Sequence, residues 1–350
     1  MRNRNSFFSV IIIRLFFFIF LVLGIYEIVF AQSAEEKERL WNLNQSEIEQ
    51  LYQQGNLNDA LNAALEGVNL AETAFGSASL QSISSLLLLA QIHTEMDQLE
   101  EANQVYQLSL ENSVSTFGES SAETLSILDN YGAFLNSIDP EMAELVLLEA
   151  LRLTPEDKPQ YAIRLKAVGM NLRELERITE AKDTLNKALK AYEKNLGEGE
   201  SDTIDTMLKL SQIHLSLGEL KEGQELLEKA LSLMQGSFEN TNLLVIESKN
   251  TLAEIYRMQS EYLKAEPLFL QSLEGAVAKF GEEDLLVLQI KSNLAKLYED
   301  TGKLKKALLY HQEVYEIDRI LLGEEHPNTA GDLNNLASVR RRLGDYQIAE

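Results

Sequence analysis

Small residues recur along the chain at Ala60, Ala102, Ala143, Ala181, Gly223, Ala265, Ala307 and Ala349, in steps of 42, 41, 38, 42, 42, 42 and 42. The apolar positions around them keep helical spacing. Leu294, Ala295, Leu297 and Tyr298 form one stripe, Thr301-Gly302 interrupts it, and Leu304, Ala307, Leu308 and His311 form the next. Apolar residues at i, i+3 and i+4 mark a helix with one buried face, and two such stripes around a glycine mark a hairpin. Each block therefore predicts helix–turn–helix, with the recurring small residue opening the second helix.

Other columns keep the same step. Five residues before the marker stand Gly55, Asp97, Gly218, Ser260, Gly302 and Gly344, which end the first helix. Three before it stand Leu57, Leu99, Ile178, Leu220, Tyr262, Leu304 and Tyr346, one apolar plug per block. Twelve before it another small residue appears: Ala90, Gly169, Ser211, Ala253, Ala295 and Ala337. Helices cross closely only where side chains are small, so these paired positions predict the contact within each hairpin. Ala150, Ala188 and Ala230 continue the inner face of the second helix.

Between blocks recur Phe75-Gly76, Phe117-Gly118, Leu196-Gly197, Phe280-Gly281 and Leu322-Gly323. The glycines are expected to cap the second helices, with Ser82, Thr124, Thr203 and Thr329 near the start of the next first helix. One block departs from the pattern. Its turn at Asp139-Pro140 is a residue short, and Leu153 to Pro159 lacks the Phe-Gly signature, so its second helix should end about a turn early. A hairpin of this size cannot bury its apolar face alone, whereas stacked hairpins bury a continuous core.

These residues resemble the tetratricopeptide repeat, in the 42-residue form of kinesin light chains and their bacterial relatives. The clearest segment runs Gly323, His326-Pro327, Thr329, Leu333-Asn334-Asn335-Leu336-Ala337 and Leu343-Gly344-Asp345-Tyr346. A second runs from Asn250 to Tyr256 and on to Ala265-Glu266-Pro267-Leu268-Phe269, with Pro267 expected in the first turn of its helix, where a missing N–H costs little. The resemblance implies an all-α fold, a right-handed α-solenoid of about seven to eight units over 32–350. It implies a protein-interaction module and assigns no chemistry.

In such solenoids the first helices line a concave groove, and the resemblance carries inward the residues eighteen, fifteen, eleven and eight before the marker. These include Asp205 and Gln212 in one unit, then Glu247, Asn250, Glu254 and Arg257. Gln289, Ser292, Lys296 and Glu299 follow, then Asn334, Ser338 and Arg341. The corresponding N-terminal stripe is Ser84, Leu87, Gln91 and Thr94. The resemblance makes Asn250 and Asn334 the residues that bond a peptide backbone, since an amide both donates and accepts.

Residues 1–31 stand apart from the repeats. Arg2, Arg4 and Arg14 precede an apolar run from Leu15 to Ile25, and Val29 and Ala31 suit signal-peptidase cleavage after Ala31. The alternative is an uncleaved anchor over residues 15–31; either reading places the remainder outside the cytoplasm, periplasmic or secreted. At the other end, Glu350 lies one residue past Ala349, where the repeat template continues the second helix for about sixteen more. A last unit cut short leaves two alternatives to a self-contained scaffold: the regulatory part of a larger protein, or a solenoid that self-associates through its C-terminal repeat.

Composition narrows the chemistry. The formal charge is −24, which repels nucleic-acid backbones and anionic lipids. The chain has no cysteine, and its four histidines fall at repeat positions: His93 and His214 where Tyr256 and Tyr298 stand, His311 where Phe269 stands, and His326 in a loop. These are expected to be structural, so neither metal nor cofactor is predicted, and no P-loop, dinucleotide or His-Glu-x-x-His pattern points to an enzyme. Asn44-Gln45-Ser46 is a lone glycosylation sequon.

Overall fold

The computed structural model describes residues 35–344, and they form fifteen α-helices and no strand. The leader expected over residues 1–31 lies outside them, as do Ala349 and Glu350. Among the described residues no helix is long and apolar enough to cross a membrane.

The chain divides into two compact units between Leu153 and Thr154. The first contains α1 (35–53), α2 (Leu57–Phe75), α3 (Leu80–Glu95), α4 (Leu99–Phe117), α5 (Ala122–Asn136) and α6 (Pro140–Arg152). The second contains α7 (Pro159–Glu174), α8 (Ile178–Asn195), α9 (Ser201–Ser216), α10 (Leu220–Met234), α11 (Leu243–Met258), α12 (Tyr262–Phe280), α13 (Leu285–Asp300), α14 (Leu304–Leu321) and α15 (Pro327–Leu343). The division falls in the stretch where the repeat signature lapses. There α6 spans only 13 residues, against 19 for α2, α4 and α12.

Within each unit every helix packs on its chain neighbours, and in the second α11 also touches α9 and α13, so first helices line up beside one another. Each unit is an all-α solenoid segment. The markers account for the hairpin packing: Ala60, Ala102, Ala143, Ala181, Ala265 and Ala307 are all fully buried at the start of second helices, opposite Ala90, Ala253 and Ala295. Gly132 fills that opposing role against α6, because the shortened turn shifts the register by one residue. A β-carbon there would come within 2.5 Å of Leu147. In the second unit, Leu208, Leu227, Leu252, Phe269, Leu294 and Val339 belong to one apolar cluster running from α9 to α15. Each fully buried side chain of this size contributes about 1.5–3 kcal/mol that an isolated hairpin would forgo.

The turns repeat one backbone geometry. The fifth residue before the marker adopts a left-handed conformation at Gly55, Asp97, Gly218, Ser260, Gly302 and Gly344, and also at Glu176, which no turn-former announces in the sequence. The next backbone N–H then reaches back five residues: Asn56 to Leu51, Gln98 to His93, Arg177 to Leu172, Glu219 to His214, Glu261 to Tyr256 and Lys303 to Tyr298, at 2.7–3.0 Å. This pattern satisfies carbonyls that the helix end leaves open. The α5–α6 turn lacks it. There Asp139 caps α6 by accepting from the Met142 N–H at 3.0 Å, ahead of Pro140.

Ser82, Thr124 and Thr203 stand in the first turns of α3, α5 and α9, as expected. Their hydroxyls do not cap those helices. They donate to the carbonyls of Gly76, Gly118 and Gly197 at 2.7–2.9 Å, tying each first helix to the glycine that ends the preceding one. Pro267 is not in a first turn. α12 begins at Tyr262, so Pro267 is its sixth residue and deprives the Leu263 carbonyl of its helical donor. Leu263 is 94% exposed, which leaves water to serve that carbonyl.

Candidate partner-binding groove

In the second unit the predicted stripes lie on consecutive first helices and meet. Lys166 on α7 approaches Asp205 on α9 at 3.0 Å, and Lys209 on α9 bridges Asp205 and Glu247 on α11, at 3.7 and 3.6 Å. Farther along, Asn293 on α13 donates to the side-chain oxygen of Asn250 on α11 at 3.2 Å. Arg257 pairs with Glu254 at 2.8 Å and reaches Asp300 on α13, and these carboxylates hold its guanidinium well above the ordinary arginine value. Glu299 receives Arg342 from α15 at 2.7 Å and His311 from α14 at 2.9 Å.

The remaining predicted residues are less engaged with one another. Gln289, Lys296, Asn334 and Arg341 are exposed, while Gln212, Ser292 and Ser338 are half-buried on the same helices. Asn250 is only 7% exposed, so much of its amide is committed to the neighbouring helix. Sequence reasoning missed Asn293, Asp300 and Arg342. Each contacts a partner 43 residues earlier, one more than the repeat, because adjacent first helices are offset along their axes. That offset carries no signal in a single block.

The first unit holds a cavity of about 710 Å³ between α1, α3 and α5. Gln91 and Thr94 of the expected N-terminal stripe line it, together with Gln45, Glu49, Glu95 and Asn130. Gln91 donates to Asn130 at 3.3 Å. Its apolar wall is built by Tyr106 and Phe134, with ring centroids 5.1 Å apart, and Tyr106 stacks on Tyr131 at 5.4 Å. Burial raises the Tyr106 phenol above its ordinary range.

A tetratricopeptide repeat profile matches residues 160–236, 202–276, 244–320 and 286–350, which together span more than half the sequence. The chain belongs to the tetratricopeptide repeat family. No curated protein matches it. Among solved structures it is similar to a signal-transduction ATPase with a tetratricopeptide repeat sensor from Pyrococcus horikoshii. That match has a TM-score of 0.61 and 16% identity, covering 89% of this chain and 45% of the other. It is also similar to the quorum sensor NprR of B. thuringiensis, with a TM-score of 0.56, 17% identity, and coverage of 76% and 73%. Nearly identical repeats from a Podosopora anserina protein named for kinesin light chain align at a TM-score of 0.40 and 15% identity, over 69% of this chain and 96% of theirs.

Other polar groups of this repeat protein are absorbed by its architecture. His93 and His214 are 9% exposed and bond Gln98 and Glu219 at 2.6 Å, and His326 caps α15 by accepting from the Asn328 N–H. Asn44 of the sequon is buried and donates its amide nitrogen, the atom a glycan would occupy, to the Ala63 carbonyl at 3.0 Å. A second cavity, of about 670 Å³, lies on the side of the second helices α12 and α14. Its floor includes Lys291, held by Glu282 at 2.7 Å and Glu313 at 3.2 Å. No predicted groove residue lines this second cavity.

Proposed function

We propose that the chain is a non-catalytic scaffold that captures an extended peptide or protein segment along the faces of its first helices. One observation carries this reading. Five consecutive first helices of the second unit present their polar stripes side by side, from Lys166 through Asp205, Glu247 and Asn250 to Glu299 and Arg342. Surfaces of this kind, fixed on rigid helices and rich in amides and charges of both signs, suit an extended chain whose backbone needs both donors and acceptors. Substituting Asn250→Ala and Asn334→Ala together should weaken partner capture about tenfold while helical circular dichroism is kept. Unchanged affinity would remove these residues from the site.

The leader supports an exported location, periplasmic or secreted, with residues 15–31 either removed or retained as a tether. N-terminal sequencing of the protein from the exported fraction should begin at Gln32 if it is removed. Recovery only from the cytosol would refute export. A second reading, in which the repeats sense a partner for a larger assembly, is favoured by the two solved relatives that are named as sensors.

A further inference from the structure

The first unit has a charge imbalance that its cavity concentrates. Between Arg39 and Arg152 the sequence contains 17 Asp and Glu residues and neither Lys nor Arg. Those two arginines are taken up within their own helices, by Glu36 at 2.7 Å and Glu149 at 2.5 Å. The cavity between α1, α3 and α5 has two charged lining residues, Glu49 and Glu95, and both are acidic. Glu49 accepts from Gln53 at 3.4 Å and the Glu95 charge helps to raise the Tyr52 phenol, but among the described residues neither carboxylate meets a cation.

We propose that this cavity receives an arginine or lysine side chain from an extended peptide. The inference rests on the first-helix groove reading above and narrows it to a partner chemistry. A basic side chain suits the site at both ends: its aliphatic stem lies along aromatic faces such as Tyr106 and Phe134, and its head meets carboxylates. Gln45, Gln91 and Asn130 can then donate to and accept from the peptide backbone on either side. The cavity is within the ~300–1,000 Å³ range of ligand sites, much larger than a lone ion requires. Carboxylates with no intervening cation focus the field into such a cleft and repel an acidic partner.

The test is fluorescence anisotropy on the full chain, using short labelled peptides of alternating Ala and Ser with a central Arg, Lys, Ala or Glu. The Arg and Lys peptides should bind about tenfold tighter than the Glu peptide at low salt, and the gap should close as salt shortens the Debye length below ~8 Å. The E49Q/E95Q variant should lose that preference with its melting temperature unchanged. The E66Q/E72Q variant, altered on the exposed surface of α2, should keep it. Equal binding of all four peptides, no binding of any, a preference surviving in E49Q/E95Q, or equal losses in both variants would each overturn the proposal. Ala133→Trp separates the two readings, because it fills the cavity without changing charge. Equal peptide binding that A133W abolishes leaves the groove standing and removes only charge selection. Binding that A133W leaves intact removes the groove reading itself.

Discussion

Asp332 on α15 neighbours Asp318 on α14, and both residues are buried, at 9% and 7% exposure. Burial is the main force that pushes Asp332 up to about 7. The neighbouring Asp318 carboxyl adds to it, while Lys296 on α13 opposes it. The folded state therefore holds a proton that the unfolded chain releases near pH 4. The stabilisation from that proton is complete below pH 4 and is lost as the pH rises toward 7. Asp332→Asn should accordingly raise the melting temperature more at pH 8 than at pH 5. A gain equal at both values would show that the pair shares no proton.

Glu176 has a left-handed backbone, with φ of 58°, and its side chain is exposed. A β-carbon in that region is strained by about 1–2 kcal/mol. Glu176→Gly should therefore raise stability by about 1 kcal/mol, after the greater freedom of unfolded glycine is subtracted. Urea unfolding at unchanged m-value measures it, and a loss of stability would show that the turn is not strained.

Gly275 on α12 faces the Asn240 carbonyl in the loop between α10 and α11. An added β-carbon would sit 2.5 Å from that oxygen. Backbone cannot rotate aside as a side chain can, so Gly275→Ala should cost about 1–3 kcal/mol despite alanine's better helix propensity. Thermal denaturation distinguishes this from the gain that an open helical site would give.

Pro267 at the sixth residue of α12 removes one helical hydrogen bond. Pro267→Ala restores the donor to the Leu263 carbonyl and should stabilise the second unit, by at most ~3 kcal/mol since that carbonyl is open to water. Hydrogen exchange should show new protection at residue 267 and its neighbours. No gain in either measurement would mean that α12 is already adapted to the proline.

Periodicity alone made the hairpins legible, because a 42-residue step in small, apolar and turn-forming residues reflects constraints inside each block. Close crossing demands Ala or Gly at Ala265 and Ala253, and a left-handed turn favours glycine at Gly218 and Gly302. The same regularity located the short second helix and the break in pattern near Leu153. It failed at Glu176, where packing on both sides imposes a turn that the residue itself does not favour. It also misplaced Pro267, whose position depends on where α12 starts.

The candidate groove was legible only as a set of faces. The sequence determined which residues share a helix side, since 3.6 residues per turn fixes that locally. Only the tertiary structure decided which of them touch. The offset between neighbouring first helices joins Asn250 to Asn293 and Glu299 to Arg342, and the spacing of α1, α3 and α5 opens the cavity beside Glu49 and Glu95. Those distances arise from how stacked side chains fill space between blocks, a relation that no single block encodes.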